Sequence, residues 1–366
     1  MLSILNVLKK YYEEKKKTAE GVSSNSEKER SDVTSIVQNL ELPSLADCGA
    51  TRESISIFTV VNRQSEEEKA QKAREFYFNL VNWLRKIYTT EFQANAQFKE
   101  ECFSFIDEQL TYLNTAVEEL IHQANSDYPV DETWLASHAA AVSVIALEIA
   151  KGLEYNRQKL MELAACVFFH DIGMLKILDI VQKQSQLSKE ELAQIRQHPI
   201  MGTSLLGTMN LGLFSCIGEV ILQEHERIDG SGYPQGLKQD TINEYAKILG
   251  LADIYEALTH NRPYRRRITP PKAINLILNN KHLFDAKVLK KLLERIGVFP
   301  AGSLVRLNTK EIGVVTKINH QLPLRPTVLV LFEEKGTRLS APKELDLSKN
   351  FLLCIEECIE ENVTVS

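Results

Sequence analysis

From Asp131 to about residue 297, apolar positions recur at helical spacing, and each apolar run closes on a polar cluster. The pattern predicts helices over roughly 132–153, 157–170, 188–196, 199–208, 213–226, 242–259, 270–280 and 285–296. After Phe299-Pro300-Ala301-Gly302 the period switches to alternation, and 304–307, 312–318 and 327–332 read as three strands between turn residues. Upstream, Ser65 followed by Glu66-Glu67-Glu68 reads as an N-cap and an acidic first turn, opening a helix that carries Phe76, Leu80, Trp83, Leu84 and Ile87. A second long helix is predicted from about Asn95 to Gln123, with Phe98, Ile106, Leu110, Leu113 and Leu120 on one stripe. The two helices suit a hairpin or dimerising signalling stalk, and equally a plain pair packed on the main domain. Residues 54–61 alternate partly like a strand, with no partner strand in sight. Leu2, Leu5, Leu8 and Tyr12 mark a short amphipathic helix within 1–16, followed to about Arg30 by the Ser, Glu, Lys and Asn of a solvated linker. The expectation is a mainly α protein: a helical bundle with a small C-terminal β appendage and an N-terminal helical region. Its predicted units are 1–63, 64–127, 128–299 and 300–366.

Composition narrows the class. A chain of 366 residues has ample length for a sizeable core, and 44% apolar with 25% charged residues is a globular balance. A net charge of −6 argues against nucleic acid as the main partner, without excluding a locally basic pocket. Six cysteines (Cys48, Cys102, Cys166, Cys216, Cys354 and Cys358) are scattered, several in apolar runs where Cys acts as a small hydrophobe. Cys354 and Cys358 read as one helical turn apart, with no nearby His or Cys to complete a metal site. This usage suits a reducing, cytoplasmic setting. The first apolar stretch is too short for a signal peptide, and without a run of about 18 apolar residues no membrane span is expected.

The polar clusters carry the chemistry. His138 falls on the buried side of its helix, His170-Asp171 ends the next, and His198 immediately precedes a helix-opening Pro199. Gln223-Glu224-His225-Glu226-Arg227 closes another apolar helix, and Asp253 stands between Leu251 and Ile254. A carboxylate in such a place is costly unless it is paired or holds a cation. Any one buried histidine is usually a satisfied core residue, but several at helix ends and apolar faces together suit Fe, Mn or Zn. A carboxylate bridging two ions about 3.5–4 Å apart is the arrangement used for phosphate-ester hydrolysis. The local chemistry therefore points to a dinuclear phosphohydrolase.

These residues carry a family resemblance. His138, His170-Asp171 and Asp253, in that order, resemble the HD phosphohydrolase superfamily. His198-Pro199-Ile200-Met201-Gly202, the run from His225 through Asp229-Gly230-Ser231-Gly232-Tyr233-Pro234, Asp253-Ile254-Tyr255-Glu256-Ala257-Leu258 and Arg262-Pro263-Tyr264-Arg265 resemble its HD-GYP branch. The β appendage from Gly302 is similar to that branch's C-terminal end. The resemblance covers about 130–335, and residues 1–125 take no part. It implies an HD-type bundle in a bacterial phosphodiesterase that opens cyclic di-GMP to linear pGpG and then GMP. It implies two divalent ions, Fe or Mn first and Zn, Mg or Ni as further choices. Their ligands would be His138, His170, Asp171, His198, Glu224, His225 and Asp253, with His170 and Asp171 at the catalytic corner beside a bridging water. Gly232, Tyr233 and Pro234 would shape the substrate groove, and Arg262 and Arg265 would reach a phosphate. The implied partners are a second copy through the N-terminal helices and a GGDEF-type or other signalling protein.

The chain departs from the family pattern at named positions. The family's His-Asp-x-Gly-Lys motif here ends in Met174, and Lys176, two residues on, would face elsewhere. The first of two consecutive histidines is Glu224, still able to ligate Mn or Fe. Trp134 occupies the position of an extra glutamate that holds a third metal in some members, so two metals are expected. These departures support an alternative: a degenerate module that binds metal and cyclic di-GMP and signals by protein contact without catalysis. A hydrolase of another nucleotide or phosphate ester is a third reading.

Overall fold

The computed structural model describes residues 57–359, apart from 90, 91, 93, 94, 132, 210 and 211. The expectations for 1–56 lie outside the described residues. Helix α1 (Ile57–Ile87) runs through Ser65, so that residue is not a cap and 57–61 are not a strand. With neither Gly nor Pro in 57–64 to stop it, the helix simply continues. Helix α2 (Ala96–Thr115) starts where the Asn95 side chain accepts the Phe98 N–H at 2.8 Å. At Ala116 the backbone leaves the helical region (φ −151°, ψ 45°), so the helix expected as far as Gln123 is two, the second being α3 (Val117–Asn125).

The bundle follows as α4 (Trp134–Gly152), α5 (Arg157–Phe169), a 3-10 segment (Ile172–Ile177), α6 (Leu178–Val181), α7 (Lys189–Ile195), α8 (His198–Met209), α9 (Ile217–Gln223), α10 (Glu244–Thr259), α11 (Pro270–Asn279) and α12 (Ala286–Arg295). The helix boundaries read from periodicity fall within a few residues of these, because cap residues mark them. Ser188 and Glu191 form a capping box, Pro270 opens α11, and Asp285 caps α12. Helix α4 is the axis, buried from Trp134 to Ala150 and packed on by α1, α3, α5, α10 and α12. Among the described residues it is the helix long and apolar enough to cross a membrane, yet 89% of that window lies inside the protein, and it carries His138.

Helices α1 to α3 share one continuous core with the bundle. Trp83 stacks on Phe98 with ring centroids 5.2 Å apart and meets the edge of Phe168 at 5.7 Å, while the Tyr88 hydroxyl donates to the Phe168 carbonyl at 3.2 Å. The helical pair therefore packs on the main domain.

The appendage is an antiparallel sheet with strands β1 (Leu304–Leu307), β2 (Ile312–Lys317), β3 (Thr327–Phe332), β4 (Arg338–Asp346) and β5 (Ile355–Cys358), in the order β4-β3-β2-β1-β5. Its own small core gathers Val305, Leu307, Val315, Val328, Val330 and Leu347. The two edge strands escape the sequence pattern because β4 is charged and largely exposed and β5 pairs two adjacent exposed glutamates with only two apolar residues. Cys354 and Cys358 consequently lie along extended chain, not on a helical turn.

Candidate metal centre

Seven side chains expected as ligands converge from five places in the bundle. His138 comes from α4, His170 and Asp171 from the end of α5, His198 from the first residue of α8, Glu224 and His225 from just beyond α9, and Asp253 from the middle of α10. All seven are buried. They form two lobes with ligating atoms within 4.8 Å of one another, His138 with His170 and Asp171, and His198 with Glu224 and His225. Asp171 stands between them: its Oδ2 lies 3.4 Å from His138 Nε2 and 3.6 Å from His170 Nε2, and its Oδ1 lies 3.4 Å from His198 Nε2. Asp253 also reaches both sides, with Oδ1 3.3 Å from His138 Nε2 and Oδ2 3.9 Å from His225 Nδ1.

Proton bookkeeping shows what this set is suited to hold. His170 donates its Nδ1–H to the Val167 carbonyl at 2.7 Å, and His198 does the same to Ile195 at 2.7 Å, so both Nε2 lone pairs face inward. Burial keeps the His198 and His225 imidazoles below their ordinary value and therefore neutral. His225 Nε2 lies 3.1 Å from the His198 Nε2 lone pair, and its Nδ1 has no hydrogen-bond partner among the described residues. Either tautomer leaves a buried polar atom orphaned, and Glu224 Oε2 is orphaned too. Burial, with Asp171 and Asp253 nearby, pushes the Glu224 carboxyl well up. Inward lone pairs, crowded carboxylates and orphaned ligand atoms fit cations.

On the other lobe, burial lowers His138, but the Glu256 carboxylate prevails and lifts it to about 9. Without metal, His138 therefore carries a proton at neutral pH. A cation at its Nε2 displaces that proton, so metal uptake at pH 7 is expected to release about one proton per chain from this residue. The release should fade as pH rises through about 9. A pH-stat titration of metal-free protein with Mn(II) measures it, and uptake without proton release would contradict this assignment.

Sequence reasoning missed Glu256, which organises the surroundings. It is fully buried on α10, three residues beyond Asp253 and so on the same face. Its Oε2 accepts from His138 Nδ1 and from Arg262 Nη2, each at 2.5 Å, and its Oε1 accepts from the Tyr128 hydroxyl at 2.6 Å. This is the carboxylate–imidazole pairing that fixes the tautomer and ring angle of a metal-ligating histidine. A signal existed: a second acid at i+3 in the apolar stretch that follows Lys247.

Arg262 is buried, its guanidinium carbon 4.7 Å from the Trp134 ring centroid and its Nη1 2.7 Å from the Tyr128 hydroxyl. With Trp134, Met174, His225, Asp253 and Ala257 it lines a narrow recess against His138 and Asp171. It also borders a wider outer cleft of about 340 Å³ formed with Val130, Asp131, Gln182, Gln184 and Pro263. Arg265 is placed otherwise: its guanidinium donates to the Ala257 and Arg266 carbonyls. Met174 sits in the 3-10 segment facing the recess, whereas Lys176 points to solvent. A Cβ on Gly173 would overlap the His198 carbonyl oxygen, so glycine is what lets this segment lie directly against the start of α8.

The Gly-rich loop after His225 is held by another buried acid outside the expected set. Glu226 accepts backbone N–H groups from Gln235, Gly236 and Leu237 at 2.7, 3.1 and 3.0 Å. Gly232 lies so close to Glu226 and Arg227 that a Cβ would overlap their backbone. The Tyr233 ring stacks on His225, centroids 4.8 Å apart, and Pro234 follows it, half-buried.

The chain is similar in sequence to known proteins. Residues 124–288 match an HD domain, and residues 304–364 match a KOW domain associated with HD domains. The cyclic di-GMP phosphodiesterase PA4108 of Pseudomonas aeruginosa is 31% identical over 213 residues, 58% of this chain and 51% of that protein. The cyclic di-GMP phosphodiesterase PdeB of Borreliella burgdorferi is 29% identical over 193 residues, 52% of this chain and 50% of that protein. The 3'3'-cGAMP-specific phosphodiesterase 3 of Vibrio cholerae is 28% identical over 169 residues, 46% of this chain and 36% of that protein. The chain thus spans about half the length, or less, of these curated relatives.

Proposed function

This chain carries an HD domain of the HD-GYP branch, and from that premise we propose that it hydrolyses cyclic di-GMP at a two-metal centre, giving linear pGpG and then GMP. The observation that carries the reading is the position of Asp171, with one carboxylate oxygen toward each histidine lobe. His138, His170 and Asp171 would hold one ion, and His198, Glu224 and His225 the other, with Asp253 between. Imidazoles and carboxylates without a thiolate favour Fe or Mn. Two ions are expected and not three, because Trp134, one turn before His138, offers no ligand.

When bound, such ions neutralise phosphate charge and make a nearby water more acidic. The remaining work falls to this chain's own residues. Asp171, shared by the lobes, fixes their spacing. Glu256 holds the His138 ring and keeps Arg262 aimed at the recess, where its guanidinium offers a fixed positive charge to a phosphate. Tyr233, stacked on His225, walls the site against free water.

One position pulls the other way. Met174 cannot donate a proton to a leaving oxygen or balance its charge, which favours slow turnover and supports the second reading, a module that binds metal and cyclic di-GMP and signals by contact. The deciding experiment incubates the Mn(II)- or Fe(II)-loaded chain with cyclic di-GMP and, in parallel, 3'3'-cGAMP, and separates the products. Linear product from the wild type supports the enzyme. Met174→Lys is expected to raise turnover about 10²-fold, the usual contribution of a placed general acid. Binding with no product from either protein would move the assignment to sensing, and faster opening of 3'3'-cGAMP would change the substrate.

A further inference from the structure

Away from the ligating atoms, two cysteines meet. The Sγ atoms of Cys166 and Cys216 are 3.9 Å apart, although 50 residues separate them in sequence. Cys166 is fully buried in α5, one turn before His170. Cys216 is half-buried immediately before α9, whose end leads into Glu224 and His225. The helices that deliver ligands to the two lobes therefore touch through their thiols. We propose that Cys166 and Cys216 are an oxidisable dithiol: a hydroperoxide oxidises Cys216, and Cys166 resolves it to a disulfide that ties α5 to α9.

Exposure assigns the roles. An oxidant can reach the half-buried sulfur, while the buried one is placed to attack only what forms beside it. Electrostatics agree: the contact with Cys166 lowers the Cys216 thiol, and burial raises that of Cys166, so Cys166 keeps its proton and Cys216 is the sulfur that ionises more readily. In the first step the Cys216 sulfur attacks the peroxide. An S–O bond forms, the O–O bond breaks, the sulfur loses two electrons to become a sulfenic acid, and the other oxygen leaves as water or an alcohol. In the second, Cys166 gives up its proton and attacks that sulfur; the S–S bond forms, the S–O bond breaks and a water departs. Side-chain rotation must close the sulfurs to about 2.05 Å, a displacement within reach of two thiols already in van der Waals contact.

The test uses the full chain loaded with Mn(II), so that no iron–peroxide radical chemistry intrudes. After one equivalent of hydrogen peroxide, free thiols are alkylated and peptides mapped by mass. The expected result is a Cys166–Cys216 peptide about 2 Da lighter than the reduced pair, reversed by dithiothreitol. In Cys166→Ser, dimedone is expected to label Cys216. In Cys216→Ser, oxidation at Cys166 is expected to slow about tenfold or more. Oxidation confined to Cys354 or Cys358, or Cys166 oxidising equally fast in Cys216→Ser, would overturn the proposal. Neither thiol ligates the proposed metals, so this outcome stands apart from whether the chain hydrolyses a cyclic dinucleotide.

Discussion

Asp171→Asn is expected to bind at most one metal ion per chain and to lose turnover by about 10³-fold or more, roughly 4 kcal/mol of transition-state stabilisation. The reason is geometric. Each carboxylate oxygen faces a different lobe, at 3.4 Å from His138 Nε2 on one side and 3.4 Å from His198 Nε2 on the other. An asparagine has one carbonyl oxygen to offer, and its amide would donate to a histidine lone pair that a metal needs. Metal content by mass spectrometry and product formation from cyclic di-GMP give the two readouts. A fold control separates this loss from collapse. Asparagine keeps the shape of aspartate, so the metal-free variant should still unfold in one cooperative melt, as the metal-free parent does. A variant that still takes up two ions would refute the shared role.

The second large effect lies outside the ligand set. Glu256→Gln is expected to destabilise the fold by about 3–5 kcal/mol, because Arg262 would be left buried without its countercharge. Metal affinity should fall about 10–100-fold as the His138 ring loses its anchor. A glutamine oxygen can accept from His138 or from Arg262, but its amide then presents donors to the other. Tyr128→Phe is the graded companion, removing the hydroxyl that donates to the same carboxylate and accepts from Arg262, at a cost of about 1–3 kcal/mol. Denaturant midpoints and metal titrations read both variants. Equal stability of Glu256→Gln and wild type would show that water, not this acid, satisfies Arg262.

The bundle was largely legible because helix signals are local: an apolar stripe, a cap and a Pro or acidic first turn mark each element within its own residues. What failed was decided at longer range. Ser65 with its acidic turn mimics a helix start inside a stretch that merely lacks a breaker, and the break at Ala116 carries neither Gly nor Pro. Strand β4 is charged and exposed, held by its ladder to β3 and not by any pattern of its own. At the site, histidines and acids at helix ends stood out because buried charge is costly. Glu256 and Glu226 did not, since adjoining charged residues in a motif look alike until partners are known. Arg265 comes from a motif whose resemblance implied a phosphate, and only the fold shows that its guanidinium also donates to backbone carbonyls.

The aromatic contact of α1 and α2 with the end of α5 bears on how this protein can be divided. The recognised HD match begins at residue 124, yet Phe168 and Phe169, directly before His170, are covered by Trp83, Phe98 and Tyr88. A fragment cut at the start of that match would strip these aromatic contacts from two phenylalanines directly before His170. The packed core therefore extends past the segment that homology detects, into residues upstream of it.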